Sequence, residues 1–315
     1  MKTFNSLSRR EMLRLMGTGV AGAVAGSALA GLPMPALAQG DAAAPKPLGF
    51  FTLPIGELEV TIIRDGVRPL DPAILGVTAP EGAIVQLLKE NNLPASLNNT
   101  FNVTLIKSGQ RLILVDTGLG VAAGSLLTTL AALGIQADAI TDVVISHQHG
   151  DHIGAALTDG KLTFPKAMYY YPAVEKDTVE KAAENAGITA NRTLLKTAGD
   201  ADQLTIYKAE AEVLPGMLAM AAYGHTPGHM AFTLSSGGQS LVLSVDSALN
   251  NVVTMAHPEW HVQFDADKVQ AVETRQRLFG EIADKGIRML AYHFPFPGTG
   301  FVVKDGNGFR FIPAM

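Results

Sequence analysis

The sequence predicts an α/β domain. Three observations carry that prediction. Short apolar, β-branched runs recur along the chain, and they alternate with longer stretches at helical spacing. Polar residues of the metal-binding kinds stand where the apolar runs end, which is where an α/β layer presents its functional loops.

Taken in order, strand-like runs cover residues 59–63, 100–107, 111–115, 142–146 and 167–171, interrupted by helical stretches at 83–91 and 125–133. The second half repeats the theme with strands at 204–208, 217–222, 231–235 and 240–245, a helix near 267–285, and a strand at 287–292. No short-period repeat interrupts this order. Residues 49–315 are therefore expected to form one domain of ordinary core size.

The richest stretch is His147-Gln148-His149-Gly150-Asp151-His152, directly after the strand-like 142–146. Alternation along an extended segment puts His147 and His149 on one side, so both can reach one cation. The Gly150 turn into a short helix, Asp151 to about Leu157, swings Asp151 and His152 towards a second position. Imidazole and carboxylate at this density suit zinc or a comparable first-row metal. The competing reading is a polar loop that happens to be rich in histidine, in a chain with only 8 His. Four further features close apolar runs: Asp116-Thr117-Gly118, His225-Thr226-Pro227-Gly228-His229, Asp246 and His293.

The order DTG, HxHxDH, HTPGH, Asp, His resembles the metallo-β-lactamase superfamily, from about Phe50 to the C-terminus. That resemblance implies a four-layer αβ/βα sandwich with a metal cleft at one edge of two mixed sheets; periodicity alone supports only α/β. It also implies a dinuclear centre. His147, His149 and His229 would hold the first metal; Asp151, His152 and His293 would hold the second. Asp246 would bridge the two with a shared water. The expected cofactors are two divalent ions per chain, zinc by preference, with Asp151 and Asp246 as the catalytic carboxylates. The redox di-iron branch of the fold carries a ligand Glu where this chain has His149, which favours hydrolysis. Asp116 either holds a ligand imidazole in the right tautomer or caps a strand end. His225 is expected to support the site structurally, since Thr226-Pro227-Gly228 turns the chain and only His229 matches the ligand position.

Local wording is most similar to methyl parathion hydrolase and its lactonase and aryl-esterase relatives: LILVDTG, YGHTPGH, VQFD, HFPFPGTG and GFRFIP. The implied function is a dinuclear zinc hydrolase in which a bridging hydroxide cleaves a lactone, aryl ester or organophosphate triester. The organophosphate branch carries an aromatic residue after its DTG, and here the chain reads Leu-Gly-Val-Ala-Ala-Gly. Lactones and aryl esters are therefore the expected preference, with organophosphate hydrolysis as the main activity the alternative. A β-lactamase and a non-catalytic metal-binding module are more distant readings. Met255, Trp260, Phe264, Phe294 and Phe296 are expected to wall the substrate pocket, core packing being the competing reading for each.

Ser8-Arg9-Arg10-Glu11-Met12-Leu13-Arg14, an Ala/Gly-rich stretch and Ala36-Leu37-Ala38 resemble a twin-arginine export signal, expected over residues 1–38 with a short lead-in at 39–48. The expected partners are the export machinery and a small neutral ester, and the expected location is periplasmic or secreted, in a bacterium. Repeated Gly and two prolines argue against a stable membrane anchor. Residues 1–38 hold four basic residues against one acidic, so a whole-chain charge of −5 leaves about −8 on the remainder. An acidic chain without basic runs is a poor match for nucleic acid. Zero cysteines remove thiolate ligands and disulfides, and with them the Cys bridge that β-lactamases of this superfamily use. A homodimer stays open.

Overall fold

The computed structural model describes residues 49–315. The signal expected at 1–38 and the lead-in at 39–48 lie outside the described residues. Strands β1 (Phe50–Ile55), β2 (Leu58–Leu70), β3 (Leu97–Ser108), β4 (Arg111–Val115) and β5 (Asp142–Val144) come first. A two-stranded hairpin, β6 (Leu157–Thr158) and β7 (Lys161–Leu162), precedes β8 (Met168–Pro172) and β9 (Leu204–Tyr207). Then follow β10 (Glu212–Leu214), β11 (Met217–Ala221), β12 (Met230–Ser236), β13 (Gln239–Val245), β14 (Arg288–Ala291), β15 (Thr299–Asp305) and β16 (Gly308–Pro313). One mixed sheet has the order β1-β2-β3-β4-β5-β8-β9 and the other runs β10 to β16 in sequence. β4, β5, β8 and β9 are parallel to one another, as are β13 and β14.

Inner faces of the two sheets share one core. Ile62, Val103, Leu114 and Val144 from the first sheet are buried with Phe232, Leu241 and Leu243 from the second. Helices α1 (Ala83–Glu90), α2 (Leu126–Ala132), α3 (Gly150–Ile153), α4 (Ala173–Lys181), α5 (Ala186–Asp200), α6 (Val253–Ala256) and α7 (Lys268–Lys285) complete the layers. The longest shows how sequence sets an element. Asp267 caps α7 by accepting from the Gln270 N–H, and Gly286, at φ 59°, ends it in the left-handed conformation. Between these caps Leu278, Phe279 and Ile282 recur at helical spacing and bury against Val242 and Met289 of the second sheet. The arrangement is the expected four-layer sandwich.

One local expectation needs correction, and one unassigned stretch is filled. The helix after Gly150 ends at Ile153, because Leu157–Thr158 pairs with Lys161–Leu162 instead of continuing it. Residues 173–181 and 186–200, to which the sequence pattern assigns no element, form α4 and α5. The Thr and Gly content of α5 weakens helix propensity, while the Asn185 side chain caps it by accepting from the Ile188 N–H.

Strand ends place the polar motifs. Asp116 follows β4 at φ 63°, and Val245 closes β13 at φ 47°. A β-branched residue in that region is strained by about 1–3 kcal/mol and persists only where its surroundings fix it. Pairing between β13 and β14 shifts register beside Val245, and the resulting kink turns Asp246 out of the sheet and into the cleft.

Candidate metal centre

Loops at the ends of β4, β5, β13 and β14, with the turn between β11 and β12, converge on one spot. Asp116 is the organiser of the first two. It is buried, and its carboxylate accepts from the Ser146 N–H (2.7 Å), the Ser146 hydroxyl (2.7 Å) and His152 Nδ1 (2.8 Å). Of the two roles open to Asp116, the structure shows the one that fixes an imidazole.

Four imidazoles are held in the same sense. His152 donates Nδ1–H to Asp116, and His147 donates Nδ1–H to Ser146 Oγ at 3.0 Å, since that hydroxyl spends its own proton on Asp116. His225 donates Nδ1–H to Asp265 Oδ1 and His293 to the Thr100 carbonyl, both at 3.0 Å. Each ring therefore turns Nε2 inward. His293 Nε2 faces Asp246 Oδ2 at 3.0 Å and Asp151 Oδ2 at 3.5 Å. His225 Nε2 lies 3.3 Å from Asp246 Oδ2, and His152 Nε2 lies 3.3 Å from Asp246 Oδ1. Lone pairs aimed at carboxylate oxygens repel unless a proton or a metal cation lies between them. His152 Nε2 and Asp246 Oδ1 are buried with no hydrogen-bond partner, which otherwise carries a desolvation penalty. The donor set fits metal ions.

Two groups of ligand atoms emerge: His147, His149, His225 and Asp246, and beside them Asp151, His152 and His293. His149 contributes Nδ1, 3.1 Å from His147 Nε2 and 3.0 Å from His225 Nε2. Six of the seven residues read as ligands from the sequence lie in these two groups. The seventh is corrected. His229 donates Nδ1–H to the Ala222 carbonyl at 2.8 Å and accepts the Asp246 N–H on Nε2 at 3.1 Å. Both of its nitrogens are used by backbone, so His225 stands where His229 was expected, and His229 supports Asp246 instead.

Electrostatics divide the rings around these anions: burial opposes charge on His152, but Asp246 and Asp116 outweigh it and raise that ring well above the ordinary imidazole range. Burial, with His152 and His149 beside it, pushes His147 well down, and burial with His225 takes His149 to about 4. Burial and then His225 hold His229 at about 3, the neutral Nδ1–H form its two bonds require. Burial opposes charge on His225, but its hydrogen bonds to Asp246 and Asp265 outweigh that and raise it to about 9. Burial would raise Asp246, yet His293 and His152 keep it well below the carboxylate range. Ligation needs neutral imidazoles and ionised carboxylates, and a cation beside Asp246 would take the place of the protons that the carboxylates otherwise draw onto His152 and His225.

The cleft above these atoms measures about 460 Å³ and is lined by Arg68, Asn99, Phe101, Leu119, Leu249 and Phe264 beside the ligand-type residues. Of the five expected wall residues only Phe264, 53% exposed, reaches it. Met255 and Phe294 are core residues packed under the second sheet. Trp260 is buried with Leu75 and Leu88, its ring stacked on His257. Phe296 packs on the inter-sheet core beneath Arg64. Aromatic composition could not separate wall from core, because both bury the same side chains.

Sequence reasoning also missed Glu175. Fully buried on α4, it accepts from the Gln148 N–H, the Thr226 hydroxyl and the Gly228 N–H, tying the His147–His149 segment to the His225 turn. Gly228 is required there, since a Cβ would come within 2.6 Å of the Glu175 nitrogen.

Comparisons with known proteins come to the same place. A family model described as "Metallo-beta-lactamase superfamily" matches residues 101–286. The chain is similar to a structure described as AidC, a dizinc quorum-quenching lactonase in complex with a product, N-hexanoyl-L-homoserine. Identity is 30%, covering 85% of this chain and 98% of that one, at a TM-score of 0.76. It is also similar to a hydrolase of the β-lactamase superfamily, AbOPH, at 26% identity, 86% and 99% coverage and a TM-score of 0.77. A quorum-quenching N-acyl homoserine lactone lactonase at 18% identity, 78% and 94% coverage and a TM-score of 0.58 shares the fold. No curated protein matches the chain.

Proposed function

Because the chain belongs to the metallo-β-lactamase superfamily, we propose that it is a two-metal hydrolase whose preferred substrates are lactones and aryl esters. The observation that carries this is the inward turn of four Nε2 atoms onto two carboxylates, one of them shared between both ligand groups. Two divalent cations held there, zinc in this reading, supply a water acidified from a pKa of about 16 towards 7 and a Lewis-acid contact for the carbonyl oxygen.

The chain's own residues do the rest. Asp246, buried and held ionised, orients the water through Oδ1, and its backbone is pinned by His229. Asp151, 26% exposed at the cleft floor, accepts at Oδ2 the proton that the attacking water loses and hands it to the departing alkoxide. Phe101, packed edge-on to His293 at 5.2 Å, forms an apolar wall with Leu119, Leu249 and Phe264. Such a wall suits a flat neutral ester. The lactonase likeness at 30% identity supports the same choice.

Organophosphate hydrolysis is the second reading, and Leu119 weighs against it. Val121 is 49% exposed, and neither it nor Ala122 lines the cleft; Leu119 is the residue after the DTG motif that does. A tetrahedral phosphotriester needs its aryl group pinned for in-line departure, and Leu offers no ring face. We expect kcat/KM for dihydrocoumarin to exceed that for methyl parathion by at least about tenfold, or 1.4 kcal/mol in the transition state. Leu119→Phe should narrow the gap. A purified wild type already faster on methyl parathion reverses the ranking, and a protein inert to both but active on nitrocefin points to β-lactams.

Export is part of this proposal. Replacing both Arg9 and Arg10 by Lys should trap the precursor in the cytoplasm, whereas wild-type mature protein should begin near Gln39, as read by N-terminal sequencing of periplasmic fractions. Unchanged export of the Lys-Lys variant means a different route.

A further inference from the structure

Arg275 is 2% exposed in the middle of α7, and nothing in the chemistry above uses it. A buried guanidinium is costly unless every charge and donor is answered. Here three different points answer it. Nη1 donates to Asp265 Oδ2 at 2.8 Å, Nε to the Pro258 carbonyl at 3.1 Å, and Nη2 to the Trp260 carbonyl at 3.1 Å. Asp265 spends its other oxygen on His225 Nδ1 at 3.0 Å. The loop between Pro258 and Asp265 carries Phe264 to the cleft, and it leaves by bonding to the histidine turn. Ala266 N–H donates to the His225 carbonyl (3.1 Å) and Asp267 N–H to the Gly224 carbonyl (2.9 Å).

We propose that Arg275 is a positioning residue for both halves of the site. Through Asp265 it fixes the His225 imidazole, and through the Pro258 and Trp260 carbonyls it fixes the loop that brings Phe264 to substrate. A planar fork with fixed donor directions can hold three acceptors in one arrangement; a lysine ammonium on a flexible stem cannot. An apolar side chain of similar volume would fill the space without orienting Asp265. Metal retention and substrate binding are thus tied to one side chain that touches neither.

This inference rests on the two-metal reading, and chelator competition tests it without using hydrolysis as the readout. Arg275→Lys should release one of its two metals at about tenfold lower chelator concentration than wild type, the size expected when the outer partner of a ligand imidazole is disturbed. Assayed with both metals saturating, its KM should rise at least about threefold while kcat holds, because a loosened Phe264 loop weakens binding before chemistry. Asp265→Asn should share the metal loss with a smaller rise in KM, and it carries the test if Arg275→Lys fails to fold. Leu278→Ala, buried on the same helix, should lower Tm and leave both readouts at wild type. Wild-type chelator midpoints in Arg275→Lys and in Asp265→Asn reduce Arg275 to a core ion pair, as do equal shifts in Leu278→Ala. A chain that holds two metals yet cleaves no ester overturns the function while the chelator result still stands.

Discussion

Asp246→Ala should slow ester hydrolysis by at least about a hundredfold and leave the protein with fewer than two metals per chain. The expectation follows from what the carboxylate faces. Oδ2 lies near His225 and His293 and Oδ1 near His152, so one side chain serves both ligand groups. Alanine leaves three inward Nε2 atoms with no anion between them and, in the proposed reaction, removes the group that orients the attacking water. The fold should survive, because the Asp246 N–H still donates to His229. Elemental analysis with steady-state rates checks this. One metal per active wild-type chain, with full rate in Asp246→Ala, ends the dinuclear description.

Asp246 was legible in the sequence because it closes an apolar run, and so were His147, His149, Asp151, His152 and His293. Each stands at a strand end or in the turn after one, where periodicity breaks and polar residues have no core to enter. Most strands were legible too, as β-branched runs of strand length, but their division into two mixed sheets came only from the family resemblance. Residues that act at a distance in sequence left no such mark. Asp265 meets His225 across 40 residues and Arg275 meets Asp265 from the next helix. Glu175 joins two loops from an otherwise polar helix. Their roles come from tertiary proximity, which no local pattern encodes. Trp260 and Phe294 failed for the opposite reason: a strong local signal, a large ring, is shared by cores and pockets alike.

His225 and His229 show how finely spacing alone can mislead, and they give the second large effect. Four residues apart, both buried, both imidazoles, they differ in where the second nitrogen points. His225 has one nitrogen on Asp265 and the other among His149 and Asp246. His229 has its nitrogens on the Ala222 carbonyl and the Asp246 N–H, so no lone pair is left for a cation. His225→Ala should therefore lose about one metal per chain and fall at least about a hundredfold in rate, with Asp265 left as a buried anion facing only Arg275. His229→Ala should keep both metals. Its penalty is structural: an unsatisfied carbonyl and an unsatisfied N–H, each about 1–3 kcal/mol, so roughly 2–6 kcal/mol off the unfolding free energy. Metal stoichiometry and denaturant midpoints on the two variants separate the cases. Loss of a metal from His229→Ala, with two retained in His225→Ala, restores the assignment read from the sequence and refutes the geometry.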